Sequence, residues 1–386
     1  MIDRAHHLAQ LSRLLRRYPV VAILGARQIG KTTLADELLR REAVPGRRFD
    51  LENPGDLARL SDPMLALAGL RGLVVLDEIQ RRPELFPALR VLADRRPRKA
   101  RFLVLGSASP ELLRQSSESL AGRIAYYALP GLSMREVGAR AGLRLWLRGG
   151  FPRAFLGRSD AESMEWRNAF LRTFLERDLP MLGVTVAPDT MRRFWSMLAH
   201  HHAQLWNASE FGRSFGVADT TVRGYLDKLS AALVVRQLMP WYENIGKRQV
   251  RAPRIYVRDS GLLHALLNLP TQADLEGHPK VGASWEGFIL DQIVQHLDAR
   301  PEECYFWRTH TGAELDLLVV RGRRRMGFEI KRTTAPAITP SMRSAMNDLK
   351  LDTLTLVHAG EETYSLAKNM RAMSWRAMVE QVRPLK

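Results

Sequence analysis

The chain has 386 residues, a formal net charge of +17 and a single cysteine, Cys304, with 46% hydrophobic and 26% charged residues. That length predicts two or three domains, and the composition is that of an ordinary globular chain with no apolar run long enough for a bilayer. Met1 to Arg17 lacks the apolar centre of a secretory signal and a lone cysteine excludes an internal disulfide, so a reducing cytoplasm with no membrane partner is expected.

The basic excess favours polyanionic partners, nucleic acid first, over a generally basic solvated surface. From Tyr18 to about Val137, short apolar runs alternate with helical stretches. Val20–Leu24, Leu73–Leu76 and Phe102–Leu105 read as buried strands and Lys31–Arg41 as a helix. This rhythm predicts an α/β domain with a parallel sheet over residues 1–140.

The first strand runs into Gly25, Ala26, Arg27, Gln28, Ile29, Gly30, Lys31 and Thr32, which fit G-x-x-x-x-G-K-[ST] at every position. Successive N–H groups and a helix N-terminus would face a phosphate. Lys31 would reach the β- and γ-phosphates of ATP, the Thr32 hydroxyl would bind Mg²⁺, and Thr33 extends the nucleotide-binding set along the helix. Leu73-Val74-Val75-Leu76 then delivers Asp77 to the end of a strand, where open α/β sheets place ligands. Asp77 would hold Mg²⁺ and Glu78 would polarise the attacking water. Ser107, after the next strand, could sense the γ-phosphate or mark a plain turn. Arg123 could be structural, or could stabilise transition-state charge in its own site or in that of a neighbouring copy in a homo-oligomer.

Residues 141–275 are mainly helical, with three helical segments over 190–235. His200, His201 and His202 are consecutive and read as surface residues rather than metal ligands. Ala208–Val217 and Asp219–Leu229 have the pattern of a helix-turn-helix: Val222, Tyr225, Leu226 and Leu229 share one face, leaving Thr220, Thr221 and Arg223 outward. The β-rich stretches 233–240 and 254–258 would form a wing, with Lys247, Arg248 and Arg251 in the loop between them. The pair of helices would either contact DNA or serve packing.

Residues 276–386 read as a small α/β unit. Strand alternation puts Glu329 and Lys331 on one face, a hairpin can bring Asp316 beside them, and Glu286 lies on a preceding helix. Three carboxylates and a lysine could form a divalent-metal nuclease site, or a degenerate fold that binds without cutting.

Together these features resemble a family of prokaryotic AAA-type ATPases with a P-loop domain followed by a winged-helix and restriction-endonuclease-like region. The resemblance rests on Gly25–Thr32, Leu76–Gln80, Gly106–Ser109, Leu120–Arg123, Gly149–Pro152, Leu175–Asp178, Tyr256–Leu262 and Glu329–Lys331. It implies a catalytic glutamate, matched by Glu78, and a nuclease-like core matched at Glu286, Asp316, Glu329 and Lys331. The expected function is ATP hydrolysis coupled to DNA; a nucleotide-dependent switch binding a protein partner is the alternative.

Overall fold

Val20–Leu24 is apolar throughout and forms a strand, β1, buried on both faces. Four further strands join it: β2 (Arg47–Asp50), β3 (Gly72–Asp77), β4 (Ala100–Gly106) and β5 (Ile124–Ala128). They form a parallel sheet in the order β2-β3-β4-β1-β5. The structure, a computed structural model, describes residues 2–97, 99–106, 110–181, 183–242 and 252–385. It divides into two compact units, Met1–Gly131 with Ala231–Leu233, and Leu132–Ser230 with Val234–Lys386.

In the first unit, helix α1 (Ala5–Arg17) buries His7, Leu8, Leu11 and Leu15, at spacings of three and four that make one face. Helix α2 (Lys31–Arg41) buries Leu34, Ala35 and Leu38. Helix α3 (Leu85–Asp94) buries Leu85, Phe86, Leu89 and Leu92, and packs with Ala22, Val74, Leu76, Phe102 and Val104 in the core. Because every strand runs the same way, the carboxyl ends of β1, β3 and β4 share one edge of the sheet. Leu24 pairs with Gly106 and Leu76 with Val104 there.

The longer helices at the start of the second unit are α4 (Gly142–Arg148), α5 (Asp160–Thr173) and α6 (Pro188–His200). Helix α5 is regular to Thr173, continues as a π-helix over Phe174–Asp178, and ends at Leu179–Met181. A short strand β6 (Gln204–Leu205) leads into α7 (Ala208–Phe215) and α8 (Asp219–Ala231), which are followed by β7 (Val235–Pro240) and β8 (Arg254–Val257). Gly216, with φ 64°, ends α7 in the left-handed conformation. Val222, Leu226 and Leu229 are buried on α8, whereas Thr220 and Arg223 are exposed and Thr221 is half-buried. Strand β8 pairs antiparallel with both β6 and β7.

The remaining elements are α9 (Ser260–Leu266), α10 (Val281–Leu297), β9 (Cys304–Arg308), β10 (Glu314–Arg321), β11 (Arg324–Lys331), α11 (Pro340–Asp348), β12 (Thr353–His358), β13 (Tyr364–Ala367) and β14 (Met370–Ser374). All nine strands form one mixed sheet in the order β13-β14-β12-β11-β10-β9-β7-β8-β6. Strand β7 pairs with β9 at Met239↔Tyr305, so residues on both sides of position 275 share one sheet and one compact unit. Among the described residues, no helix is long and apolar enough to cross a membrane.

Candidate nucleotide-binding site and the carboxylate cluster

The phosphate-loop sequence leaves β1 and re-enters helix at Lys31, the first residue of α2. Its turn uses two left-handed residues, Gln28 at φ 60° and Gly30 at φ 98°. Gly30 is the helix N-cap, and a side chain there would be strained. Lys31 Nζ donates to the carbonyls of Gly25 at 2.9 Å and Ala26 at 3.0 Å, so its ammonium is folded back over the loop. One residue on, Thr32 Oγ1 donates to Asp77 Oδ2 at 2.9 Å. β4 lies between β1 and β3, so the parent strands are about 10 Å apart at the usual strand spacing. The loop and the first turn of α2 cross that gap to bring Thr32 to the end of β3.

Asp77 is 3% exposed. Burial raises its carboxyl above the ordinary range, opposed by the Thr32 hydrogen bond and the Arg48 charge. Arg48 on β2 donates to Asp77 Oδ2 at 3.0 Å, and the Glu78 N–H donates to Oδ1 at 3.0 Å. A hydroxyl and a carboxylate in contact at the carboxyl edge of a parallel sheet are hard oxygen donors, a set that fits Mg²⁺ held by one or two side chains plus phosphate oxygens. Glu78 sits in the left-handed region at φ 56°, a sparsely populated conformation that here accompanies a candidate catalytic side chain. The side-chain amide of Gln80 donates to its carboxylate.

Two contributors were not singled out from the sequence. Arg48 lies in a four-residue edge strand with one buried residue, so nothing local marks it. Arg4 donates to the loop carbonyl of Ile29 at 3.2 Å and to Pro130 at 3.0 Å, tying the loop to the end of the first unit.

Arg123 is placed elsewhere. Its guanidinium makes a two-point pair with Asp94 at 2.6 and 2.9 Å, and its carbonyl accepts from Val20 at the start of β1. That is the amino edge of the sheet, about 13 Å of strand from Leu24. A role for Arg123 in its own chain's phosphate site is therefore corrected by position. Ser107 lies outside the described residues, as do Lys247, Arg248 and Arg251.

In the second unit the expected metal set meets a different arrangement. Arg254 on β8, 5% exposed, places NH1 3.2 Å from Asp316 Oδ1 and 3.6 Å from Glu286 Oε1, and NH2 2.6 Å from Glu314 Oε2. Tyr256 donates to Glu286 Oε1 at 2.7 Å, the Ile330 N–H donates to Asp316 Oδ2 at 2.9 Å, and Lys331 pairs with Glu329 at 2.9 Å. Among the described residues no group of three His, Cys, Asp or Glu side chains could hold a metal ion. The expected divalent-metal site at Glu286, Asp316 and Glu329 is thus corrected: these carboxylates are engaged by arginine, lysine, tyrosine and a backbone N–H. His202 is a second correction. It is 2% exposed, accepts from the Val257 N–H at 3.1 Å, and burial pushes its pKa down to about 3.

Burial first, then the Asp316 charge, pushes Glu286 up to about 8 and Glu329 up to about 7. Folding therefore raises both above the ordinary carboxylate value of about 4.3. The folded state binds more protons across the interval, so stability falls as pH rises from about 4 towards those values. Glu286→Gln removes one of the two titrations. Melting temperatures at pH 6, 7 and 8, flanking the value of about 7 for Glu329, should then fall less steeply than in wild type; an unchanged slope would remove Glu286 from this role.

Three family models match the chain: an AAA domain over residues 17–138, the domain of unknown function DUF8612 over 141–273, and the domain of unknown function DUF4143 over 281–378. The uncharacterized protein Rv2008c of Mycobacterium tuberculosis is 54% identical over 97% of this chain and 84% of its own length. The uncharacterized protein Mb2031c of Mycobacterium bovis gives the same figures. Among solved structures, the Walker-type ATPase PABY2304 of Pyrococcus abyssi aligns over 69% of this chain and 96% of its own, at 16% identity and a TM-score of 0.46. The ORC2 protein of Aeropyrum pernix aligns over 72% and 96%, at 16% identity and a TM-score of 0.38. Likeness at those scores adds no weight; the mycobacterial relatives and the AAA domain carry the assignment. The chain belongs to the family of these mycobacterial proteins and carries an AAA domain over residues 17–138.

Proposed function

We propose that the chain binds ATP with Mg²⁺ and hydrolyses it, and that it acts on duplex DNA through its second unit. The observation carrying the first part is the contact of Thr32 with Asp77 beside Lys31 and Glu78. Lys31 meets the β- and γ-phosphates, the loop N–H groups orient them, and Thr32 and Asp77 hold the ion. When bound there, Mg²⁺ would neutralise the charge that develops on the phosphate oxygens. Glu78 accepts a hydrogen bond from the attacking water and directs it.

The DNA reading is supported by the +17 charge and by the order β6, α7, α8, β7, β8, which we read as a winged helix. Exposed Thr220 and Arg223 at the start of α8 stand where a recognition helix meets bases. The nuclease-like part is read as a binding module. The test is fluorescence anisotropy with labelled duplex DNA at about 50 and 200 mM salt, where six to ten phosphate contacts cost about 10³ to 10⁵ in affinity. Absence of binding at the lower salt, with ATP turnover intact, would favour a protein partner instead.

A further inference from the structure

The carboxylates of the second unit pose a problem of charge. Glu286, Glu314, Asp316 and Glu329 converge on two cations, Arg254 and Lys331. A divalent ion would be one resolution, and Arg254 supplies another. Its NH1 stands between Asp316 Oδ1 and Glu286 Oε1, the two oxygens an ion would have to bridge. The second oxygen of Asp316 is taken by the Ile330 N–H, and Glu286 Oε1 is also held by Tyr256. The guanidinium is kept in place by the Phe306 ring, 5.2 Å from its carbon, and by Glu314. Mg²⁺ needs oxygens at about 2.0–2.1 Å and near-octahedral geometry, and it cannot share that volume with a guanidinium. Arginine cannot yield by losing its proton, because it stays charged at any pH a protein survives.

We propose that Arg254 is a built-in cation standing between the Asp316 and Glu286 carboxylates, so that this cluster excludes divalent ions, and that removing Arg254 alone uncovers a cation site on Glu286, Glu314 and Asp316. This inference is independent of how the ATPase unit works. Arg254 thereby balances the charge of the buried acidic cluster, within which no group of three carboxylates among the described residues is arranged to hold a metal ion. Glu329 Oε2, buried and without a hydrogen-bond partner among the described residues, is a further oxygen at the cluster.

The test uses full-length protein without nucleotide, titrated with Mn²⁺ and followed by electron paramagnetic resonance of the free ion. Wild type and Asp316→Asn should take up the same amount of Mn²⁺. Arg254→Met should take up one additional equivalent, lost again in Arg254→Met with Asp316→Asn. Arg254→Lys, which keeps the charge, should behave as wild type. If Arg254→Met is unfolded in chelator, because its partners are left buried and unpaired, Mn²⁺ added on refolding should restore a cooperative unfolding transition. The proposal is overturned by Mn²⁺ uptake in wild type that Asp316→Asn abolishes. It is equally overturned by a folded Arg254→Met with no added equivalent, or by an unfolded one that Mn²⁺ does not restore.

Discussion

Glu78→Gln should bind ATP about as tightly as wild type and release phosphate at least about a hundredfold more slowly, the lower end of what a positioned general base contributes. The substitution keeps size and hydrogen-bonding capacity. Glutamine accepts the left-handed backbone at φ 56° as readily as glutamate, so the turn after β3 should persist. Lys31, Thr32 and Asp77 are untouched, and they supply the phosphate and ion contacts in the proposed site. What is lost is the carboxylate that accepts a proton from water. Nucleotide binding by fluorescence and phosphate release by a coupled assay separate the two effects. Wild-type turnover in Glu78→Gln would transfer the catalytic role to another group.

Replacing Lys247, Arg248 and Arg251 together by alanine should weaken duplex binding across all sequences. It should also flatten the slope of log affinity against log salt by about 0.9 for each phosphate contact removed. These three residues lie outside the described structure, and the expectation rests on their position between β7 and β8 and on their charge. Thr220→Ala with Arg223→Ala should act differently. Both side chains are exposed in the first turns of α8, so their loss should change which sequence is preferred more than the salt slope. An unchanged slope in the triple variant would show that this loop does not meet phosphate.

What the sequence made legible follows the range of the interactions. β1 and the middle of β3 are runs of apolar residues buried on both faces, and such runs announce themselves. The phosphate loop is local, with every part inside eight residues. Its bounding helix was expected over Lys31–Arg41 and is found there. By contrast β2 buries only Phe49 and β13 buries no residue, so neither carries the alternation that marks a strand.

The same distinction governs the sites. No local spacing joins Arg254 to its partners, because Glu314 and Asp316 are 60 and 62 residues away. One local signal is present: Arg254 leads directly into the apolar run Ile255-Tyr256-Val257, Asp316 stands between Leu315 and Leu317, and a buried charge needs a partner. The Gly149–Pro152 and Tyr256–Leu262 motifs, far apart in sequence, meet in space. Asp259 caps α9 through the Leu262 N–H at 2.9 Å and accepts from the Gly150 N–H at 2.7 Å. Gly149, at φ 81°, leaves the carboxylate room that a Cβ, 2.1 Å from Asp259 Oδ1, would fill. Those residues are accounted for by packing, which spacing alone could not separate from catalysis.

Gly25–Thr32 should be a working phosphate site. Phosphate release from ATP by the purified full-length chain, with Mg²⁺ and with chelator, beside Lys31→Ala, tests it most directly. Lys31 Nζ lies over the loop carbonyls of Gly25 and Ala26, and its removal leaves the phosphates without their clamp. Wild type should release phosphate only with Mg²⁺, and Lys31→Ala should lose both release and nucleotide binding. Turnover that persists unchanged in a folded Lys31→Ala, or a wild type that neither binds nor hydrolyses ATP, would contradict it.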